Sequence, residues 1–117
     1  MKELMIIAIA FSVAFAPAGA AATPGIGETG HVTRDESRTT TGCVSQTTLE
    51  AAAKAVAAQD REGFKELFAS NLCIIMPRGA KIRVLEVDGW LAPDYKIRLF
   101  WKNENVVLWT VREALDE

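Results

Sequence analysis

The sequence is poor in the side chains on which most enzyme and metal sites depend. Its 117 residues include one histidine, one tyrosine and two cysteines, and the formal net charge is only −2. Metal sites typically draw on several histidine or cysteine ligands, and nonspecific nucleic-acid binding usually needs a strongly basic domain. We therefore expect no enzymatic activity, no cofactor, no metal site and no nucleic-acid partner.

The acids and bases that are present are poorly placed for catalysis. His31 lies in a polar segment with no partner imidazole nearby, and several acidic residues gather at the C-terminus as Glu113, Asp116 and Glu117. A serine or cysteine nucleophile needs a base within hydrogen-bond reach. The sequence indicates no such pair, so we interpret His31 as a solvated residue.

The first 20 residues have the organisation of an export signal. Lys2 precedes an apolar run over residues 4–15, and small side chains follow it. The run is shorter than the roughly 20 residues that a membrane-spanning helix needs. We therefore predict a signal peptide over residues 1–20, cleaved after Ala20 or Ala22. The mature protein is then periplasmic or secreted and not inserted in the membrane.

Cys43 and Cys73 are interpreted as one disulfide. An even number of cysteines in a short exported chain is typical of an oxidised pair, because exported proteins meet a disulfide-forming environment. The two cysteines bracket a stretch with helical periodicity. We therefore expect the bond to join the two ends of a helical segment.

Residues 21–42 are interpreted as a disordered linker, because they are rich in Thr, Gly, Ser and charge and offer little apolar surface to bury. Within them, residues 25–30 formally match the glycine pattern of dinucleotide-binding turns. That pattern works only between a strand and the N-terminus of a helix. Neither is predicted here, so no nucleotide site is assigned.

Two helices are predicted between the cysteines. Thr47 is the expected N-cap of the first, with Glu50 completing a capping box. Asp60 is the expected N-cap of a shorter second helix, which Gly63 weakens. The alanine-rich stripe of the first helix suits either a partner or the protein's own sheet, and we expect it to pack on the sheet.

After Cys73 the pattern changes from helical to alternating, which is typical of half-buried strands. Residues 81–84, 95–101 and 106–110 are predicted strands, and several short strands at this spacing suggest a small barrel. Trp101 and Trp109 lie on these strands and are interpreted as core residues.

Residues 77–86, 96–99 and 108–110 resemble the SH3-like domains of exported bacterial proteins, and the resemblance covers roughly residues 73–115. Together with the helical periodicity, it implies an α+β fold in which two short N-terminal helices pack on a small SH3-like antiparallel β-barrel. A single domain over residues 43–117 is expected. The resemblance also implies a binding or targeting role for peptides or cell-wall material.

The candidate binding residues are Trp90, Tyr95, Lys96 and Arg98. A loop that precedes a strand can present aromatic side chains without loss of core packing, and the cations beyond it can orient a polar or acidic ligand. Packing of Trp90 over the open end of the barrel is the alternative.

A second candidate is a basic stripe formed by Lys81, Arg83, Lys96 and Arg98, if their strands pair antiparallel. It would suit an anionic polymer or an acidic protein, and an ordinary solvated face is the alternative. The sequence thus predicts a monomeric module that binds a protein, peptide or wall component of the cell envelope. A small secreted inhibitor of an envelope enzyme is the alternative function.

Overall fold

The structure is a computed structural model, and it describes residues 22–117. The predicted signal peptide over residues 1–20 lies outside these residues. The elements, in chain order, are β1 (Thr29–Val32), β2 (Thr41–Cys43), α1 (Gln46–Ala57), α2 (Arg61–Ala69), β3 (Cys73–Ile75), β4 (Lys81–Asp88), β5 (Asp94–Trp101), β6 (Glu104–Val111), a 3-10 turn (Arg112–Ala114) and β7 (Leu115–Asp116).

The strands of the described region form one seven-stranded sheet in the order β3-β2-β6-β5-β4-β1-β7. Every neighbouring pair is antiparallel, and the sheet forms a half-barrel. The expected arrangement of two N-terminal helices on an SH3-like barrel is therefore wrong. Two strands precede the helices in the chain, and these early strands take internal positions in the sheet.

The two helices are an excursion between β2 and β3, which pair directly with each other. Cys43 ends β2 and Cys73 begins β3, and the two residues face each other in the register. Their sulfur atoms are bonded at 2.09 Å. The predicted disulfide is confirmed, and it joins the chain at the two ends of the helical excursion.

The caps of the helices are set by local hydrogen bonds. Ser45 caps α1 in place of the expected Thr47, and its hydroxyl and the Thr48 hydroxyl accept from each other's backbone amides at 3.1 Å. Asp60 caps α2 as predicted, and its Oδ1 accepts from the Gly63 amide at 2.9 Å. A Cβ atom at position 63 would overlap the Asp60 carboxylate. The glycine thus gives room to the cap.

Residues 22–42 belong to the folded domain and supply β1 and the start of β2, which corrects the prediction of a disordered linker over 21–42. β1 pairs with both β4 and β7, and Val32 and Thr33 are fully buried. Gly30 stands where a Cβ atom would overlap the Asp116 carbonyl oxygen, so its absent side chain permits the close approach of β1 and β7. Composition alone misses this segment because its order depends on neighbouring strands rather than on its own apolar surface.

Two arginines hold the loop between β1 and β2. Arg78 donates to the Asp35 carbonyl at 2.7 Å and to the Arg38 carbonyl at 3.0 Å. Arg38 in turn donates to the Glu113 carbonyl at 2.7 Å and forms an ion pair with Asp116 at 3.0 Å. Hydrogen bonds from charged donors are among the stronger ones in proteins. They connect this polar loop to chain segments far away in the sequence.

The apolar residues divide into two clusters. The larger one lies on the inner face of the half-barrel, and its members include Val32, Met76, Ile82, Val84, Tyr95, Ile97, Leu99, Leu108 and Leu115. The smaller cluster surrounds the disulfide, where Leu49 and Ala52 of α1 are buried and Trp109 of β6 packs against them. Leu49 and Ala52 of the apolar stripe of α1 therefore pack on the protein's own sheet, whereas Ala53 and Val56 of the same stripe are exposed. The predicted packing is confirmed only for the first half of the stripe.

Candidate functional site

The β4–β5 hairpin carries most of the predicted binding residues. Alternation places Ile82, Val84 and Ile97 in the core, so Arg83, Lys96 and Arg98 point to the outer face of the sheet. A β-bulge between Val84 and Glu86 interrupts the alternation of β4 and sets Glu86 opposite Lys96. The alternation predicted for these strands is confirmed. The residues with binding chemistry consequently lie on the outer face or in the turn that joins the two strands.

The turn of the hairpin is an apolar projection. Trp90 is 86% exposed and Leu91 is 75% exposed, whereas Pro93 on the return side of the turn is buried. The alternative in which Trp90 packs over an open barrel end does not occur. A large aromatic side chain in this position offers contact area that nothing in the described chain covers.

Tyr95 does not belong to this surface. Its side chain is 8% exposed and packs in the larger core cluster, because position 95 shares the inward face with Ile97 and Leu99. The expectation that Tyr95 lines a binding surface is therefore corrected. Lys96 and Arg98 alternate along β5 with these inward residues, so they point outward, and both are half-buried.

The outer face of β4 and β5 brings four cations together. Arg83 stands directly opposite Arg98 in the register, with Lys81 two residues before Arg83 and Lys96 two residues before Arg98. We call Lys81, Arg83, Lys96 and Arg98 the cationic face. Among residues 22–117, none of these four side chains has a carboxylate within 4.0 Å. The predicted basic stripe is therefore formed by the sheet.

Uncharged and aromatic residues surround the cationic face. Phe100 is opposite Lys81, whose Nζ lies 5.6 Å from the centre of the ring. Trp109 is opposite Lys96 on the other side and marks where the helices begin to cover the sheet. In the part of the chain that the structure describes, Glu86 on β4, opposite Lys96, is the one acid in register with these four residues.

Two acids lie at the base of the exposed turn. Asp88 and Asp94 end the paired part of the hairpin opposite each other, and the Gln46 amide donates to both, at 2.8 Å and 3.2 Å. This contact connects the start of α1 to the hairpin. The two carboxylates also place negative charge between the apolar turn and the cationic face.

Some depressions of the described region lie along the helices, and another lies beside Leu99 and Trp101 at the far end of the hairpin. One of about 500 Å³ lies along α1 and α2 beside Val56 and Phe64, and an apolar one of about 270 Å³ lies between α1 and the sheet beside Leu49 and Val111. Residues 22–117 contain no group of three or more His, Cys, Asp or Glu side chains placed to hold a metal ion. His31 is half-buried in β1, opposite Lys81 and Asp116.

The three tryptophans have three different environments, and the sequence distinguished only Trp90 from the other two. Trp109 is half-buried and packs beside the disulfide, in agreement with its interpretation as a core residue. Trp101 is 44% exposed at the far end of β5, and its assignment to the core is wrong. Because Trp101 is the last residue of β5 before a two-residue turn, too little structure lies beyond it to cover the ring.

Comparison with known proteins identifies a family model described as "Surface attachment protein Sap1-like", which matches residues 5–114. This finding replaces the resemblance to SH3-like domains, to which no match supports an assignment. No curated protein matches the chain. No solved structure matches it either. Within residues 22–117, no helix is long and apolar enough to cross a membrane.

Proposed function

The chain belongs to the Sap1-like surface attachment protein family, and from this premise we propose that it is an exported module that binds a component of the cell envelope. The family indicates a surface or secreted location. The proposal adds export by the signal peptide over residues 1–20 and a periplasmic or secreted, monomeric mature protein. The partner classes are a protein, a peptide or a wall component.

The exposed turn of the β4–β5 hairpin carries this proposal. Trp90 projects from a hairpin whose strands pair from Lys81 to Asp88, with one bulge between Val84 and Glu86, and Gln46 holds the hairpin at the base of its turn. An exposed tryptophan loses no packing in the free protein and gains buried area on binding, and tryptophan is enriched among the residues that dominate binding energy. Trp90 is therefore the proposed anchor, and Lys96 and Arg98 on the adjoining face are the proposed polar contacts.

The proposal is tested by capture of the purified mature protein on isolated cell envelopes. Trp90→Ala should weaken capture by about tenfold or more, a loss of roughly 1.4 kcal/mol or more, which is typical of a binding anchor. Its melting temperature should change by less than about 2 °C, because an exposed side chain contributes little to folding. Trp101→Ala is the matched control, since it removes another exposed tryptophan at the opposite end of β5.

Equal capture of the parent protein and Trp90→Ala would contradict the proposal. Recovery of one envelope hydrolase in a stoichiometric complex, with loss of its activity, would instead support the alternative of a secreted inhibitor. In that case the exposed turn would act as the inhibitory loop, and Trp90→Ala should restore the activity of the hydrolase.

A further inference from the structure

We infer that the cationic face binds a linear acidic polysaccharide, an inference that rests on the proposed function and names the chemistry of its partner. The first observation is the direct pairing of Arg83 with Arg98. Like charges that face each other across antiparallel strands destabilise the sheet. A cross-strand arginine pair without a carboxylate partner in the described chain is therefore a position where an external anion relieves repulsion.

The charge is local rather than general. The whole chain has a formal net charge of −2, yet four cations stand on two adjacent strands, and within residues 22–117 Glu86 is the only acid in register with them. The other register partners of these strands on the same face are uncharged or aromatic: Thr29, Phe100, Asn105, Val107 and Trp109. His31 is the register partner of Lys81 on β1. An anion that approaches this face therefore meets net positive charge.

The shape of the face selects a polymer over a small anion. Neither the depressions along the helices nor the one beside Leu99 and Trp101 includes a residue of the cationic face in its lining. Alternate residues of a strand are about 7 Å apart, so the cations occupy three levels over about 14 Å, with Lys96 at one end and Lys81 at the other. An extended chain with repeated carboxylates can contact all three levels at once, whereas a single small anion contacts only one.

The arrangement of charge also separates this partner from an anionic bilayer. A bilayer would take up the Trp90 side chain at the tip of the hairpin, where tryptophan suits the interface. The residues at the base of that tip are Asp88 and Asp94, and their carboxylates would be repelled by anionic headgroups. The cations instead lie along the side of the hairpin, beside Phe100, whose ring offers an apolar contact for a sugar.

The test measures binding of the purified mature protein to polygalacturonate, with neutral dextran as the uncharged polymer. The parent protein should bind polygalacturonate and not dextran. By analogy with other polyanions, its affinity should fall on the order of tenfold or more between about 50 and 200 mM salt, because several cations release counterions together. The paired substitution Arg83→Gln with Arg98→Gln should weaken binding by about tenfold or more.

A matched control makes the same change of charge elsewhere. Arg61→Gln with Lys65→Gln removes two exposed cations from α2, away from the cationic face, and should change binding by less than about twofold if location rather than net charge decides. Melting temperatures of both paired variants should stay within a few degrees of the parent, since all four side chains lie outside the core clusters.

Equal losses in the two paired variants, binding to dextran, or no binding to polygalacturonate would overturn the inference. So would preferential binding to vesicles that contain phosphatidylglycerol, or to a single-stranded oligonucleotide. These failures differ from a failure of the proposed function. If Trp90→Ala abolishes envelope capture while the paired arginine variant retains it, attachment stands and the acidic polysaccharide is the wrong partner.

Discussion

Val32→Ala tests whether the polar N-terminal segment belongs to the folded protein. Val32 is fully buried, and its backbone amide donates to the Ala80 carbonyl at 2.8 Å. The substitution removes about two methylene equivalents, worth roughly 1.6 kcal/mol in transfer free energy, and the cavity that remains adds to this loss. We expect the free energy of unfolding to fall by about 2 kcal/mol. For a domain of this size, that corresponds to a melting temperature lower by about 8 to 16 °C.

Val44→Ala is the matched control. This substitution removes the same atoms as Val32→Ala, but from a side chain that is 50% exposed. Its melting temperature should fall by less than about 3 °C, as expected for a partly exposed side chain. Thermal unfolding followed by circular dichroism measures both variants under oxidising conditions. Similar small shifts in the two variants would refute the reasoning, since Val32 would then lie in an unstructured linker.

Three further predictions concern the stability contributed by the α2 cap, the disulfide and the tryptophans. Asp60→Ala should lower the free energy of unfolding by about 1 kcal/mol through loss of the α2 cap, while Asp60→Asn should retain most of it, as chemical denaturation would show. Removal of the bond between Cys43 and Cys73 by paired substitution with alanine should cost about 3 to 4 kcal/mol in the chain-entropy treatment, and an unchanged melting temperature would contradict this. Trp109→Ala should destabilise the protein by about 2 kcal/mol or more and Trp101→Ala by less than half as much, because only Trp109 packs in a core cluster.

The features that could be predicted from the sequence are those that depend on neighbouring residues or on a fixed period. Asp60 caps α2 through a hydrogen bond to the amide three residues later, and that contact requires nothing from the rest of the fold. The alternation of β5, and of β4 as far as Val84, likewise follows from the twofold period of a strand. The first cap was displaced by two residues to Ser45, because a hydroxyl pair with Thr48 provides the reciprocal bonds that Glu50 was expected to supply.

The candidate site was predicted in part for the same reason. Lys96 and Arg98 point outward because the strand period requires it, whereas Tyr95 points inward by the same rule and belongs to the core. The opposition of Arg83 and Arg98 depends on the register of two strands joined by a turn. A one-residue change in that turn would shift every pair, so the sequence indicated the basic stripe but not its cross-strand arginine pair.

By itself, the sequence determined the local elements: the disulfide partners, the break between the helices and the inward and outward residues of the long strands. Only the tertiary structure decided where residues 22–42 belong and how the strands are ordered. β1 contributes few apolar side chains, and it is ordered by pairing with β4 and β7, which follow it by roughly 50 and 80 residues. Arg38 likewise donates to the Leu115 carbonyl, 77 residues away. Such contacts stabilise a segment whose own composition predicts disorder, because a strand satisfies its backbone hydrogen bonds with partners that no local pattern identifies.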